Sequence, residues 1–306
     1  MNDVNLGGLI AATVTPMNED YSVDHASLRR YVRWLVEQGV HGLAVNVDTG
    51  EGPHLFPEER LEVLATVVEE VAGRAVVVAG LAATFTEQAV RISKETAALG
   101  IDAFLVFPIP AYQGAPLDPE IPAGYHLAIF EATGVPLIAF QLQPALGGVI
   151  YEPDAIARLI EVEGVVAIKE ASFDAKRFVD TVGLLRGMPK SVTILNGNDN
   201  FLLEAYMLGA QGALLGFGTL AVAEQVEMLN AWRARDLDRA VELGATVQAL
   251  CDAIFAPPVR NYRARLKHAL LQLGLIDRAA VRPPLMQLDP AETGAVELAL
   301  KEAGML

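Results

Sequence analysis

Lys169 follows the apolar, β-branched run 165–168 in Gly164-Val-Val-Ala-Ile-Lys-Glu-Ala-Ser172. A lysine that ends a short buried strand is either desolvated or poised over a pocket. Both settings favour the neutral amine, which can attack a carbonyl carbon and form a Schiff base. The bland alternative is a lysine that snorkels from the strand end into solvent or pairs with a carboxylate. The segment alone leaves both open, so the decision falls to the elements that must hold the lysine in place.

Short apolar runs recur at 9–14, 43–47, 75–79, 103–107, 136–140, 165–168, 192–195 and 213–215, which gives eight candidate strands. Helix-like stretches alternate with them at 24–38, 57–72, 84–99, 118–132, 152–161, 173–185 and 200–208. Gly39, Gly73, Gly100, Gly134 and Gly209 fall where helix C-caps or turns back into strands are wanted, and Asp24, Thr84 and Asp118 suit N-caps. Strict alternation implies parallel strands with right-handed crossovers, and eight of them argue for a closed (βα)8 TIM barrel of the α/β class. An open doubly wound sheet is the rival, but the first strand-to-helix turn, Thr15-Pro-Met-Asn-Glu-Asp20, has no glycine-rich dinucleotide fingerprint. Beyond Leu220 only helices are expected, at 223–234, 237–255, 262–273 and 290–303. The division is therefore a barrel over 1–235 and a C-terminal helical appendage over 236–306.

Sites in such barrels lie at the carboxyl ends of the strands. Those ends hold Thr13 and Thr15, Asn46-Val-Asp-Thr-Gly-Glu51, Gly80, 107–112, Phe140-Gln141, Lys169, Asn196-Gly-Asn-Asp199 and Gly216-Phe-Gly218. Only one of them ends in lysine. A lone ammonium in a dry, side-chain-filled barrel costs several kcal/mol without a partner or a shifted pKa, so the functional reading of Lys169 is preferred.

Composition removes other classes. The chain has 306 residues, 52% apolar and 20% charged, enough for a large core. Its 23 basic and 38 acidic residues give a net charge of −15, which disfavours nucleic acid and anionic membranes as partners. The single cysteine, Cys251, has no internal disulfide partner, and Met-Asn-Asp-Val at the N-terminus lacks a signal peptide's positive region and long apolar stretch, so a cytoplasmic location is expected. No apolar run reaches the roughly 18 to 20 residues of a membrane span. His25, His41, His54, His126 and His268 show no metal-ligand spacing, so neither a metal nor a cofactor is expected. A phosphate cradle at Gly197 or at Gly216 and Gly218 is set aside because no basic residue accompanies either loop.

At this point the chain resembles the superfamily of dihydrodipicolinate synthase and N-acetylneuraminate lyase, which are class I pyruvate-type aldolases. Gly8-Leu-Ile-Ala-Ala-Thr-Val-Thr-Pro16 resembles the family's first strand, Asp48-Thr-Gly-Glu51 its Thr-Thr-Gly-Glu loop, and Ala167-Ile-Lys-Glu-Ala171 the segment carrying the Schiff-base lysine. Asn196-Gly-Asn-Asp199 and Leu208-Gly-Ala-Gln-Gly-Ala213 look like the Gly-Asp-Asp and Leu-Gly-Ala-x-Gly segments. Lys267-His-Ala-Leu-Leu-Gln-Leu-Gly274 and Arg282-Pro-Pro-Leu285 are similar to the family's C-terminal helices.

The resemblance implies that Lys169 forms an imine with pyruvate or a related 2-oxo acid and that Thr49, with nearby backbone N–H groups, holds the carboxylate. Thr49, Gly50, Phe140, Gly197 and Leu214 are then the candidate substrate contacts. The family counterpart of Glu51 is structural. A homo-oligomer, a tetramer by family habit, is implied as well. In the family a tyrosine at the end of the fifth strand, the first threonine of the loop and a tyrosine lent by a neighbouring subunit move protons. Here Phe140 stands for the first tyrosine and Asp48 for the threonine, whereas Tyr112 matches the lent tyrosine. Phe140 cannot transfer a proton, so Asp48 is expected to carry part of the relay, as a carboxylate whose pKa a dry pocket would raise; the plainer reading makes it a turn cap.

Leu146, in Pro144-Ala-Leu-Gly-Gly148, stands near the arginine that dihydrodipicolinate synthases use for a substrate carboxylate. The expectation is therefore a Schiff-base lyase or aldolase other than the lysine-pathway synthase. The alternatives are the true 4-hydroxy-tetrahydrodipicolinate synthase, a 2-keto-3-deoxy sugar acid aldolase or dehydratase, and a non-catalytic barrel that binds an oxo acid.

Overall fold

The computed structural model describes residues 4–306. Strands β1 (Leu9–Ala12), β2 (Gly42–Val45), β3 (Val76–Leu81), β4 (Ala103–Val106), β5 (Leu137–Leu142), β6 (Val165–Ala171), β7 (Thr193–Asn196) and β8 (Gly212–Leu215) close into one barrel in chain order. Each neighbouring pair is parallel, β1 with β8 included. The connecting helices are α1 (His25–Glu37), α2 (Pro57–Val71), α3 (Thr86–Ala97), α4 (Glu120–Thr133), α5 (Pro153–Glu161), α6 (Ala175–Arg186) and α7 (Leu202–Leu208), and α8 (Val222–Ala234) completes the ring. All eight strands therefore stand where the apolar runs predict them.

Alternation along each strand sends one set of side chains inward and the other against the helices. Ile10, Ala12, Ala44, Val78, Leu105, Ile138, Ala167, Leu195 and Leu214 belong to the inner cluster. Their neighbours Leu9, Ala11, Leu43, Val45, Val77 and Ala79 belong to a separate, larger cluster with the helices. Helix ends follow local chemistry. The Asp24 carboxylate accepts the Ser27 N–H at 3.0 Å and starts α1, while Gly134 at φ 67° ends α4. Asp118 Oδ1 accepts the Glu120 N–H at 3.0 Å and caps the start of α4, whereas Thr84 is not a cap, because Phe85 stays extended and α3 begins at Thr86.

One boundary bears on the site. β6 does not end at Lys169 but continues through Glu170 to Ala171. Glu170 is fully buried, which hides the extension from an apolar-run reading. It is tolerated there because Gln141 Nε2 and Asn198 Nδ2 donate to its carboxylate at 3.0 and 2.8 Å.

After α8, Asp236 caps α9 (Leu237–Ile254), which leads to α10 (Tyr262–Gln272) and α11 (Pro290–Glu302). α10 returns to the β2 loop. Lys267 Nζ lies 2.5 Å from Glu51 Oε1 with both side chains fully buried, and the Arg282 N–H donates to Glu51 Oε2 at 2.8 Å. Removing one partner of such a pair typically costs about 3–5 kcal/mol, so this contact fixes the helical tail over the barrel mouth. Glu51 is thus structural, as the resemblance implies, but its donors come from the C-terminal segment. Among the described residues no single helix is long and apolar enough to cross a membrane.

Candidate active site

Strand register puts position 140 beside the lysine: Phe140 on β5 pairs with Lys169 on β6. Both point into the barrel near its carboxyl end, and Lys169 Nζ lies 4.4 Å from the Phe140 ring centroid. The lysine runs past Gly197, where an added Cβ would lie 2.7 Å from Lys169 Cε, so that glycine is needed for the side chain's path. Asp48, Thr49, Phe140, Lys169, Gly197 and Asp199 are among the residues that line the resulting pocket. A larger cavity of about 510 Å³ lies at the opposite end of the barrel, bounded by His41, Arg74, Asp102 and Arg233, and holds none of these residues.

Burial is the dominant electrostatic influence here. It brings the Lys169 ammonium down to about 8 even though Asp199 and Asp48 both favour the charged form. Burial likewise brings Asp199 up to about 7, against the pull of the Phe217 N–H and of Lys169. Asp199 Oδ1 accepts that N–H at 3.0 Å. A buried amine and a buried carboxyl thus share one pocket, each pushed toward its neutral form.

Asp48 is placed differently. Its Oδ1 pairs with Arg263 Nη2, its backbone oxygen accepts Arg263 Nε at 2.7 Å, and its Oδ2 accepts the Tyr262 hydroxyl at 2.7 Å. About a quarter of its side chain is exposed. The expectation of a dry pocket around Asp48 is corrected, because its side chain is partly exposed and an arginine from α10 reaches it; the dry carboxyl is Asp199. Tyr262 also lies 3.4 Å from Thr49 Oγ1 and stacks on Phe255 with ring centroids 4.7 Å apart.

Of the residues singled out in the sequence, Lys169, Asp48, Thr49, Phe140 and Gly197 meet at the pocket. Gly50 stands behind it, its carbonyl accepting Thr15 Oγ1 at 2.7 Å, and Leu214 is a packed interior residue below it. Tyr112 is not brought to Lys169. Its ring is 1% exposed within its own subunit, 6.0 Å from Tyr125 and 6.1 Å from Tyr151, and would have to leave that cluster to reach a neighbour.

The sequence names Asp199 only within a strand-end motif, without a role, and does not single out Tyr262. Asp199 carries a findable signal, a carboxylate just after the seventh strand. Tyr262 carries none, since its approach depends on how α10 folds back.

A sequence model of the Dihydrodipicolinate synthetase family matches residues 5–303. The chain belongs to that family. It is accordingly an enzyme of the class I aldolase and lyase type. It is 32% identical over 299 residues to the 4-hydroxy-tetrahydrodipicolinate synthase of Methylibium petroleiphilum, covering 98% of each chain. It is also 32% identical over 303 residues to that of Laribacter hongkongensis, covering 98% of this chain and 100% of the other.

Among solved structures, the chloride-inhibited dihydrodipicolinate synthase from Acinetobacter baumannii, complexed with pyruvate, superposes with a TM-score of 0.88 at 30% identity over 99% of this chain and 100% of that one. The N-acetylneuraminate lyase of Fusobacterium nucleatum shares the fold, with a TM-score of 0.85 at 22% identity over 97% and 98% of the two chains.

Proposed function

We propose that Lys169 forms an imine with pyruvate or a related 2-oxo acid, and that the enzyme makes or breaks a bond at the adjacent carbon without being the lysine-pathway synthase. The observation that carries this is the buried amine of Lys169 over the Phe140 ring, brought down to about 8, so that a useful neutral fraction exists near neutral pH. The binding of pyruvate by the Acinetobacter baumannii relative supports the same class of substrate.

In the proposed sequence the neutral amine adds to the keto carbon, the carbinolamine loses water, and the resulting iminium withdraws electrons from the neighbouring carbon. Loss of a proton there gives an enamine nucleophile. In this reading Thr49 Oγ1, at the same pocket, receives the substrate carboxylate. Two groups serve proton transfer. Asp199 can hold or release a proton near neutrality. Asp48 acts through the Tyr262 hydroxyl that it accepts, which returns to the pocket the phenol that Phe140 lacks.

The departure from the lysine-pathway synthase rests on Leu146, which lines the pocket and by the resemblance stands near the arginine those enzymes use for a substrate carboxylate. A closed homo-oligomer, a tetramer by family habit, completes the reading; light scattering that finds a monomer at micromolar concentration would exclude it.

Enamine formation is tested by proton NMR of pyruvate in D2O: the enzyme should exchange the methyl protons for deuterium, and Lys169→Ala should not. Absence of exchange with pyruvate and with 2-oxobutyrate would remove the proposed function. Efficient condensation of pyruvate with aspartate semialdehyde would restore the lysine-pathway assignment.

A further inference from the structure

Apart from Lys169, Asp48, Thr49, Asp199 and Tyr262, the pocket wall is apolar. Phe107, Phe140, Leu142, Leu146, Phe173 and Phe255 form it. Phe107 and Phe140 meet edge to face with centroids 5.2 Å apart. Leu146, Phe173 and Phe255 are half-buried, which puts them at the mouth.

Charge is distributed just as unevenly. Lys169 is the sole cationic residue among those lining the pocket, and the other ionisable groups besides Tyr262 are Asp48 and Asp199. Arg263, which reaches Asp48 from α10, is engaged by the Asp48 carboxylate and backbone oxygen and by the face of Tyr262.

Phe173 adds an independent observation. Its φ is 60°, in the left-handed region that a bulky residue rarely adopts. Asn198 Oδ1 clamps it by accepting the Phe173 N–H at 2.6 Å, and Asn200 Nδ2 donates to its carbonyl at 3.2 Å. The strained backbone is held so that an aromatic ring stands at the pocket mouth.

We infer that the second substrate is an aldehyde with an apolar or aromatic body, and not one that carries a second carboxylate. The inference rests on the imine reading above and adds the identity of the electrophile. With the 2-oxo acid on Lys169 and its carboxylate toward Thr49, the group beyond the reacting carbon lies against the phenylalanines and leucines. An aromatic ring gains burial and edge-to-face contacts there. A second carboxylate there would lose its hydration against apolar side chains and meet no free cation among the residues lining the pocket.

The chemistry balances without an oxidant or reductant. The enamine carbon attacks the aldehyde carbon, the carbonyl π electrons move to the oxygen, and that oxygen takes a proton. Water then hydrolyses the iminium, releasing a 4-hydroxy-2-oxo acid and the free lysine. Cleavage runs the same steps backward.

The test measures pyruvate release from 4-hydroxy-2-oxo-4-phenylbutanoate and from 4-hydroxy-2-oxoglutarate, which yield benzaldehyde and glyoxylate. The expected kcat/KM ratio is about 100 in favour of the phenyl substrate, equivalent to about 2.7 kcal/mol of transition-state discrimination. Leu146→Arg and Phe173→Arg, at half-buried positions of the pocket wall, should each lower that ratio at least tenfold. A ratio below ten, or no cleavage of either substrate by an enzyme that still exchanges pyruvate protons, overturns the inference and leaves the imine reading standing. Loss of exchange itself would bring down both.

Discussion

Two carboxylates flank Lys169, and their surroundings differ in almost every respect. Asp48, on the β2 loop, has both oxygens taken by α10 donors, Arg263 and the Tyr262 hydroxyl, and is partly wet. Asp199, just past β7, is 5% exposed, and its side chain meets one backbone N–H from Phe217. A carboxylate already satisfied by a guanidinium and a phenol orients its neighbours; one stripped of water and sparsely bonded can take up a proton near neutrality. The sequence presents these residues alike, as acidic groups at strand ends. What separates them is the arrival of α10 on one side of the barrel mouth.

That contrast can be broken or sharpened by substitution. The largest effect belongs to the amine that both carboxylates serve: Lys169→Ala should abolish turnover, at least 10⁴-fold in kcat/KM, and retention of more than a hundredth of native activity would mean the chemistry lies elsewhere.

Asp199→Asn should come next, with kcat down by roughly 10²- to 10⁴-fold if Asp199 transfers the proton. It should also alter stability, with a sign that follows from burial. The folded-state pKa of Asp199, about 7, lies above its ordinary 3.8, so the folded protein binds that proton more tightly and the penalty for ionising it is fully present above pH 7. Stability from this group therefore falls as pH rises from about 4 to 7, and Asp199→Asn should raise Tm at pH 8 relative to native protein but not at pH 4. A lower Tm at pH 8 would show the carboxylate to be structural.

Asp48→Asn keeps the shape and removes the ion pair with Arg263; a loss of about 10- to 100-fold is expected, because its action passes through Tyr262. Both aspartates favour the Lys169 ammonium, so either substitution should move the amine's inflection in a pH–rate profile of imine formation toward acid from about 8. Normal turnover by Asp48→Asn would reduce Asp48 to a turn and docking residue. Phe140→Tyr should change least, within about threefold on the native background, and should partly rescue Asp48→Asn if a phenol there can share the relay.

Much of this was legible in the residues. The barrel followed from eight apolar runs separated by amphipathic stretches, since strand periodicity and glycine turns are local properties. Lys169 stood out because a lysine beside a β-branched run is costly unless used. Its exact setting did not follow, because Glu170 is kept in the strand by Gln141 and Asn198, partners 29 and 28 residues away. The expectation for Asp48 missed Arg263, 215 residues distant, for the same reason. Tyr112 matched the family's pattern by sequence, but Tyr125 and Tyr151 enclose it in its own subunit. Local pattern finds the scaffold and the costly residue, whereas the partners that set a titratable group's role come from contacts across the chain.

The central claim is that Lys169 is the imine-forming amine, and trapping tests it most directly. Borohydride reduction in the presence of pyruvate, followed by peptide mass mapping, should add one reduced pyruvyl group to the peptide containing Lys169, and none in Lys169→Ala. An adduct on another lysine, or none with any small 2-oxo acid, would contradict the account.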